Sequence, residues 1–233
     1  MDTDLALGFL WFVAFLFSTT VHEAMHALVA WKGGDPTAYH GGQVSLSPIP
    51  HIRREPIGML VVPLLTSLTQ GWAMGWASAP YDPLWAERYP RRAALMAAAG
   101  PAGNLAIALV ALAGLRAGLM TGFFVAPERA AYHALVADAA TGLPNFAGTL
   151  LSVLLVLNVF LGLFNLLPLP PLDGFSVATI FLPEERAQQL RQIQASGFTS
   201  MAGLLVAWQV FPVMVHPLFS LILRLVHPGE SYS

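Results

Sequence analysis

The sequence predicts an all-α polytopic membrane protein with about four transmembrane helices, a re-entrant or interfacial segment and a small β-hairpin. Of the 233 residues, 56% are hydrophobic and only 10% are charged. The mean hydropathy of +0.63 exceeds that of soluble globular domains. Several apolar runs are long enough to cross a hydrocarbon layer about 30 Å thick. We therefore expect one membrane-embedded domain over residues 1–233, with its core at 5–182 and a last span at 198–226.

Charge and cysteine content exclude several classes of function. The net charge is only −2 and the eleven Lys and Arg residues are scattered, so no nucleic-acid partner is expected. The chain has no cysteine, which removes disulfides, thiolate metal sites and cysteine nucleophiles. Any metal ion would therefore be held by His, Asp or Glu.

The first apolar run, residues 5–31, carries ionisable side chains near its carboxyl end. As a helix its roughly 27 residues would be about 40 Å long, and no basic region or A-x-A cleavage site suggests that it is removed. His22, Glu23 and His26 lie in this run. Ionisable residues inside an apolar span are costly, and they usually face a partner, an ion or a water-filled cavity.

The spacing of these three residues is that of H-E-x-x-H zinc hydrolases. Positions i and i+4 share one helix face, so His22 and His26 can hold one metal ion together. Glu23, one residue further round, can accept a proton from water at that ion. The alternative is a pair of helix histidines that are hydrogen-bonded in a packed interior, and the five-residue pattern alone does not separate the two. The membrane setting favours the metal.

Two segments after this helix are predicted to be short. Residues 43–47 alternate polar and apolar side chains after a Gly-Gly pair, which predicts a hairpin, or a strand beside a loop, close to the His pair. His40 and His51 flank this segment and are expected to be structural or solvated. Residues 57–68 are apolar but contain Pro63 and are too short for a full crossing, so we expect a re-entrant or interfacial segment.

The second clear span, residues 93–115, contains the sequence A-G-P-A-G-N at 99–104. Its small residues permit close approach of another helix. Asn104 is the only polar side chain in this span, and an interhelical hydrogen bond is the favoured interpretation of its presence.

The third span, residues 150–167, ends in N-L-L-P-L-P-P-L-D-G at 165–174. Its closely spaced prolines must open the helix just before Asp173. Unwound backbone at membrane depth is tolerated only inside protein or beside a cavity. Asp173 could serve a turn, since Asp-Gly favours turns, or supply a third metal ligand beside the two histidines.

Taken together, these motifs resemble the site-2 protease family of intramembrane zinc metalloproteases. The chain has that family's H-E-x-x-H at 22–26, its A-G-P-x-x-N at 99–104 and its N-x-x-P-x-P-x-x-D-G at 165–174. The G-Q-V-S-L-S-P at 42–48 is a looser match. We expect a compact form without the PDZ domain that many relatives carry, so how substrate is admitted stays open.

The resemblance implies roles for particular residues. It implies one Zn²⁺ bound by His22, His26 and Asp173, with Glu23 as the catalytic base. It also implies that Asn165 and Asn104 orient substrate or stabilise the oxyanion.

The distribution of basic residues predicts the orientation. If residues 57–68 do not cross, eight basic residues share one side and three lie opposite. The eight are Lys32, Arg53, Arg54, Arg88, Arg91, Arg92, Arg186 and Arg191, and the three are Arg116, Arg129 and Arg224. The positive-inside rule then puts the amino terminus outside and the metal site near the cytoplasmic face of a bacterial-type membrane.

We therefore expect an intramembrane zinc endopeptidase, embedded in the lipid bilayer, that hydrolyses a peptide bond in or near a transmembrane segment of a transmembrane protein substrate. The alternative is a membrane zinc-binding protein without peptidase activity, such as a transporter or an inactive scaffold. Glu23 favours the peptidase, because transport needs ligands but no base beside them. The segment at 43–47 is further expected to be an edge strand that pairs with unwound substrate.

Overall fold

The computed structural model describes residues 5–183, 186–187 and 197–229. Arg191, one of the basic residues in the orientation prediction, lies outside them. In chain order the elements are α1 (Leu5–Lys32), α2 (Thr37–His40), α3 (Pro48–Arg54), a π-helix (Ile57–Val61), α4 (Val62–Gln70), α5 (Pro83–Arg88), α6 (Pro90–Met120), β1 (Phe124–Val125), β2 (Ala137–Asp138), α7 (Phe146–Asn165), α8 (Asp173–Ala178), a 3-10 helix (Thr179–Phe181) and α9 (Gly197–Val226).

Four of these helices are long and apolar enough to cross a membrane, which confirms the predicted fold class. They are α1, α6, α7 and α9. The first three pack together around a core that includes Phe15, Leu115 and Val156. About half of the most apolar stretch of α1 and of α6 is buried, against 11% for α9. The α1–α6–α7 bundle therefore forms the packed core of the described structure, and α9 lies at its edge.

Residues 57–70 form a short helical segment beside α1. The π-helix and α4 together contain five plus nine residues, or about 21 Å of helix, which is less than the hydrocarbon thickness. An extended segment, residues 72–80, follows and lies against the π-helix. There the backbone N–H of Trp76 donates to the Gly58 carbonyl at 3.1 Å. A Cβ on Gly58 would lie 2.4 Å from the Trp76 carbonyl oxygen, so glycine permits this contact.

Hydrogen bonds at Asp35 join this region to the end of α1. The Asp35 carboxylate accepts from the Thr37 hydroxyl at 2.5 Å and from the Asp82 N–H at 2.8 Å. Burial raises the pKa of this carboxyl, but these hydrogen bonds outweigh burial and hold the pKa below its usual range. The extended segment is therefore anchored to the helix that carries His22 and His26.

The predicted strand at 43–47 is wrong. Residues 44–46 form bends and 43 and 47 are irregular, because the polar side chains of this segment bond locally instead of alternating across a sheet. Ser45 Oγ accepts from the Ser47 N–H at 3.1 Å, and Ser47 Oγ caps α3. The Gln43 amide donates to the Ser78 carbonyl at 3.3 Å.

The only two-stranded sheet in the described part of the chain lies elsewhere. β1 pairs antiparallel with β2, with Phe124 opposite Asp138 and Val125 opposite Ala137. β1 follows the carboxyl end of α6, and the 16 helical residues that follow Asn104, up to Met120, separate it from the His pair by about 24 Å of helix. The hairpin is therefore not near the candidate site, and the proposed substrate-pairing edge at 43–47 does not exist in this form.

Candidate metal centre

His22 and His26 face the same point from adjacent turns of α1. Their rings meet edge to face with centroids 4.6 Å apart, and the two Nε2 atoms are 2.9 Å apart. Both side chains are buried, as is Glu23 between them. The helical i, i+4 spacing therefore produces the predicted pair.

Asp173 reaches this point because α7 ends at Asn165 and the proline-rich segment turns the chain back. No side chain is tolerated at Gly174, where a Cβ would lie 2.1 Å from the Leu166 carbonyl oxygen. This close approach brings Asp173, the first residue of α8, against the His pair. Its Oδ2 lies 3.2 Å from His22 Nε2 and 3.3 Å from His26 Nε2.

The second ring nitrogen of each histidine is already engaged. His22 Nδ1 lies 2.6 Å from Asn104 Oδ1, and His26 Nδ1 lies 2.7 Å from the Met96 carbonyl oxygen. Both partners are acceptors, so each neutral imidazole carries its proton on Nδ1 and leaves a lone pair on Nε2. The Met96 contact crosses from α1 to α6, as does the Asn104 contact.

Three acceptor atoms thus converge without a donor among them. Asp173 Oδ2 is buried and makes no hydrogen bond. The separations of 2.9, 3.2 and 3.3 Å between the three atoms resemble the edges of about 3.3 Å expected between tetrahedral zinc ligands at 2.0–2.1 Å from the ion. Such a cluster is repulsive without a cation, and the residues fit Zn²⁺.

Gly100 on α6 provides the space at this point. A Cβ there would lie 2.3 Å from His26 Nε2 and 2.5 Å from His22 Nε2. Glycine therefore leaves a hollow directly against the two Nε2 atoms. From sequence, this residue was explained only by close helix packing.

Glu23 completes a group in which the ligand-type atoms of His22, Glu23 and His26 lie within 4.8 Å of one another. One of its carboxylate oxygens, Oε2, is buried without a hydrogen-bond partner. Asp173 Oδ2 lies 3.2 and 3.3 Å from the two Nε2 atoms, which is close to the spacing of tetrahedral zinc ligands, so Asp173 matches the position of a third ligand. Glu23 is left beside the site with a free carboxylate oxygen.

The two asparagines named from sequence differ in their surroundings. The Asn104 amide is fully engaged, with Oδ1 on His22 and Nδ2 donating to Asn158 Oδ1 at 2.8 Å. Asn165 is half-buried at the end of α7, and its Nδ2 donates to the Leu161 carbonyl at 3.0 Å. Of the other histidines considered, His51 is buried with Nε2 3.1 Å from the Ser45 carbonyl oxygen.

Sequence reasoning missed three contacts that hold the site. Met96 acts through its backbone carbonyl, which no side-chain pattern reveals. Asn158 and Ser18 are buried polar residues within apolar spans, and that placement was the available signal.

Comparison with known proteins places this chain among zinc metalloprotease relatives. A sequence model of peptidase family M50 matches residues 10–208. The Bacillus subtilis (strain 168) protein named "Putative zinc metalloprotease YwhC" is 33% identical over 196 residues, which cover 83% of this chain and 78% of that protein.

Two mycobacterial proteins named "Putative zinc metalloprotease Rip2" also match. The Mycolicibacterium smegmatis protein is 29% identical over 82% of this chain and 64% of its own length. The Mycobacterium tuberculosis (H37Rv) protein is 33% identical over 75% of this chain and 58% of its own length. The matched region thus spans less than two thirds of either Rip2 protein. No solved structure matches the chain.

Proposed function

Because the chain belongs to peptidase family M50, the site-2 protease family, we propose that it is an intramembrane zinc endopeptidase. Its substrate would be a peptide bond in or near a transmembrane segment of another membrane protein. The observation that carries this proposal is the convergence of His22, His26 and Asp173 within 3.3 Å of one another. The free carboxylate oxygen of Glu23 beside them supports a reaction rather than a structural metal.

In this proposal His22, His26 and Asp173 hold one zinc ion through Nε2, Nε2 and Oδ2. Zinc, when bound, supplies Lewis acidity toward the scissile carbonyl and water. Glu23 accepts the proton of the attacking water and passes it to the leaving amine. Burial of Glu23 keeps bulk water away from its carboxylate and strengthens its interaction with the transferred proton.

Asn165 and Asn104 have different roles in this proposal. One N–H of the Asn165 amide is used within α7, so the other N–H and the carbonyl remain for the substrate backbone or the oxyanion. Asn104 has no free donor, because Nδ2 contacts Asn158 and the Ser18 carbonyl. We therefore assign Asn104 to positioning His22 rather than to contact with substrate.

The alternative function, a non-proteolytic zinc transporter or scaffold, is disfavoured by the polar residues of the spans. A transporter needs polar groups along a path through the membrane. Ser18, Asn104 and Asn158 instead bond to one another in a compact cluster beside His22. Neither transport nor structural zinc binding requires Glu23.

The protein is an integral membrane protein, and we propose that its amino terminus is outside and its metal site near the cytoplasmic face. Arg88, Arg91 and Arg92 stand at the same end of the bundle as Lys32, since Arg92 bonds to the Gly33 carbonyl. Tags near Arg88 should be protected from impermeant reagents in intact cells, and tags at residues 139–144 should be labelled. The reverse pattern would contradict this orientation.

Glu23→Gln tests the function. This change removes the base but none of the proposed ligands, so purified variant should keep zinc and lose cleavage of a panel of single-span membrane proteins. Glu87→Gln, an exposed residue on α5, is the matched control. Cleavage by wild-type protein should also stop with a chelator and return with zinc. Near wild-type cleavage by Glu23→Gln would rule out the mechanism.

A further inference from the structure

Asn158 is a fully buried amide on α7 to which the proposed reaction gives no role. An unpaired amide in an apolar interior is costly, so its partners determine how it is oriented. Nδ2 donates to Ser18 Oγ and to the Leu154 carbonyl, both at 2.8 Å. With both N–H groups used, Oδ1 faces Asn104 and accepts from Asn104 Nδ2 at 2.8 Å.

This contact decides which end of the Asn104 amide meets His22. Asn104 Nδ2 is directed at Asn158 Oδ1 and the Ser18 carbonyl, so Oδ1 is directed at His22 Nδ1. An amide turned by 180° would present N–H to Nδ1 instead. His22 would then carry its proton on Nε2, and that atom could not bind a metal ion.

We propose that Asn158 is a positioning residue that selects the metal-binding tautomer of His22 through Asn104. The inference rests on the proposed zinc site, but it does not depend on proteolysis. A simple bond between helices would only hold α7 against α6. A tautomer-selecting residue must in addition alter zinc affinity and the protonated nitrogen of His22.

The first test compares Asn158→Ala with Ser152→Ala. Ser152 is also fully buried on α7, and its hydroxyl accepts from the Leu135 N–H at 3.0 Å, so its loss costs a comparable structural hydrogen bond away from His22. By competition with a chromogenic chelator, Asn158→Ala should bind zinc about 10- to 100-fold more weakly, the usual effect of losing a partner of a metal ligand. Ser152→Ala should stay within about twofold of wild type, since it touches no partner of the site.

The second test reads the tautomer directly. In zinc-free protein labelled with ¹⁵N-histidine, His22 is assigned by the signal that disappears in His22→Gln. Wild-type His22 should show protonated Nδ1 and bare Nε2. In Asn158→Ala a fraction of His22 should show protonated Nε2, while His26, held by a backbone carbonyl, should be unchanged.

Asn158→Asp keeps the test decisive if the alanine variant does not fold. In this apolar interior the carboxyl is neutral. Its carbonyl oxygen still accepts from Asn104 Nδ2, its O–H donates to the Leu154 carbonyl, and the Ser18 hydroxyl can turn to donate to it. Zinc affinity should therefore stay within about threefold of wild type, far from the 10- to 100-fold loss of a missing partner. Weak zinc binding by folded Asn158→Asp with unchanged His22 tautomer would overturn the proposal, as would Asn158→Ala that binds zinc as tightly as Ser152→Ala. Zinc binding that depends on Asn158 without any cleavage would instead refute only the proposed protease function.

Discussion

The two sides of the candidate metal centre are held by different kinds of partner. On the His26 side, Nδ1 meets the backbone carbonyl of Met96 at 2.7 Å. On the His22 side, Nδ1 meets the side-chain amide of Asn104 at 2.6 Å. A backbone carbonyl can only accept, whereas an amide can present either a carbonyl or an N–H.

This difference has a cost. The His26 side needs only the correct path of α6, whatever side chain occupies position 96. The His22 side needs Asn104, Asn158 and Ser18 in agreement. A metal site built on a side-chain relay is therefore more sensitive to substitution than one built on the backbone.

The largest effect is expected where the two sides meet. Asp173→Ala removes the acceptor that faces both Nε2 atoms, and two imidazoles alone should hold zinc weakly. Elemental analysis should find the metal lost, and cleavage should vanish with it. Asp138→Ala serves as the control, because Asp138 lies on β2, which pairs with β1 beyond the carboxyl end of α6. Full zinc occupancy in Asp173→Ala would transfer the third ligand to another residue, with Glu23 the nearest candidate.

Gly100→Ala should weaken both sides at once. The new Cβ would lie within 2.5 Å of both Nε2 atoms, so it must displace the imidazoles or the ion. We expect a larger loss of zinc affinity than the roughly 10- to 100-fold typical of a lost ligand partner. Gly162→Ala is the control, because its Cβ would make an ordinary contact at 3.4 Å. Alanine has a higher helix propensity than glycine, so neither change should weaken its own helix. Equal zinc binding by both variants would therefore mean that the hollow at Gly100 is not part of the site.

Asn104→Leu should break the His22 side alone. The change keeps a similar volume but leaves Nδ1 of His22 without its acceptor, and zinc affinity should fall about 10- to 100-fold. Calorimetric titration with zinc would measure it. An unchanged dissociation constant would show that His22 needs no partner.

Met96→Leu is the counterpart on the His26 side and should have the smallest effect. The backbone carbonyl remains, and leucine fills a similar volume in the cluster with Ala30 and Trp85. Zinc affinity within about twofold of wild type is expected, well short of the 10- to 100-fold loss for a missing partner. A loss as large as that of Asn104→Leu would remove the distinction between the two sides.

Much of the fold follows from the sequence. The spans were recognisable because a bilayer requires long apolar helices, and residues 57–68 were recognisable as too short. The strand at 43–47 failed because period-two alternation over five residues cannot distinguish a strand from serines that bond locally. The sheet at β1 and β2 has only two residues in each strand, too few for any periodic signal.

By itself the sequence determined which side chains could meet a metal ion. Helical geometry puts His22 and His26 on one face, prolines force the chain to open before Asp173, and the absence of cysteine leaves only His, Asp and Glu as ligands. Only the tertiary structure decided what surrounds them. The hollow at Gly100, the Met96 carbonyl and the relay from Ser18 through Asn158 and Asn104 join residues from 54 to 140 positions apart. Local sequence patterns do not encode such contacts, because they arise from how α1, α6 and α7 pack, and packing is a property of the whole bundle.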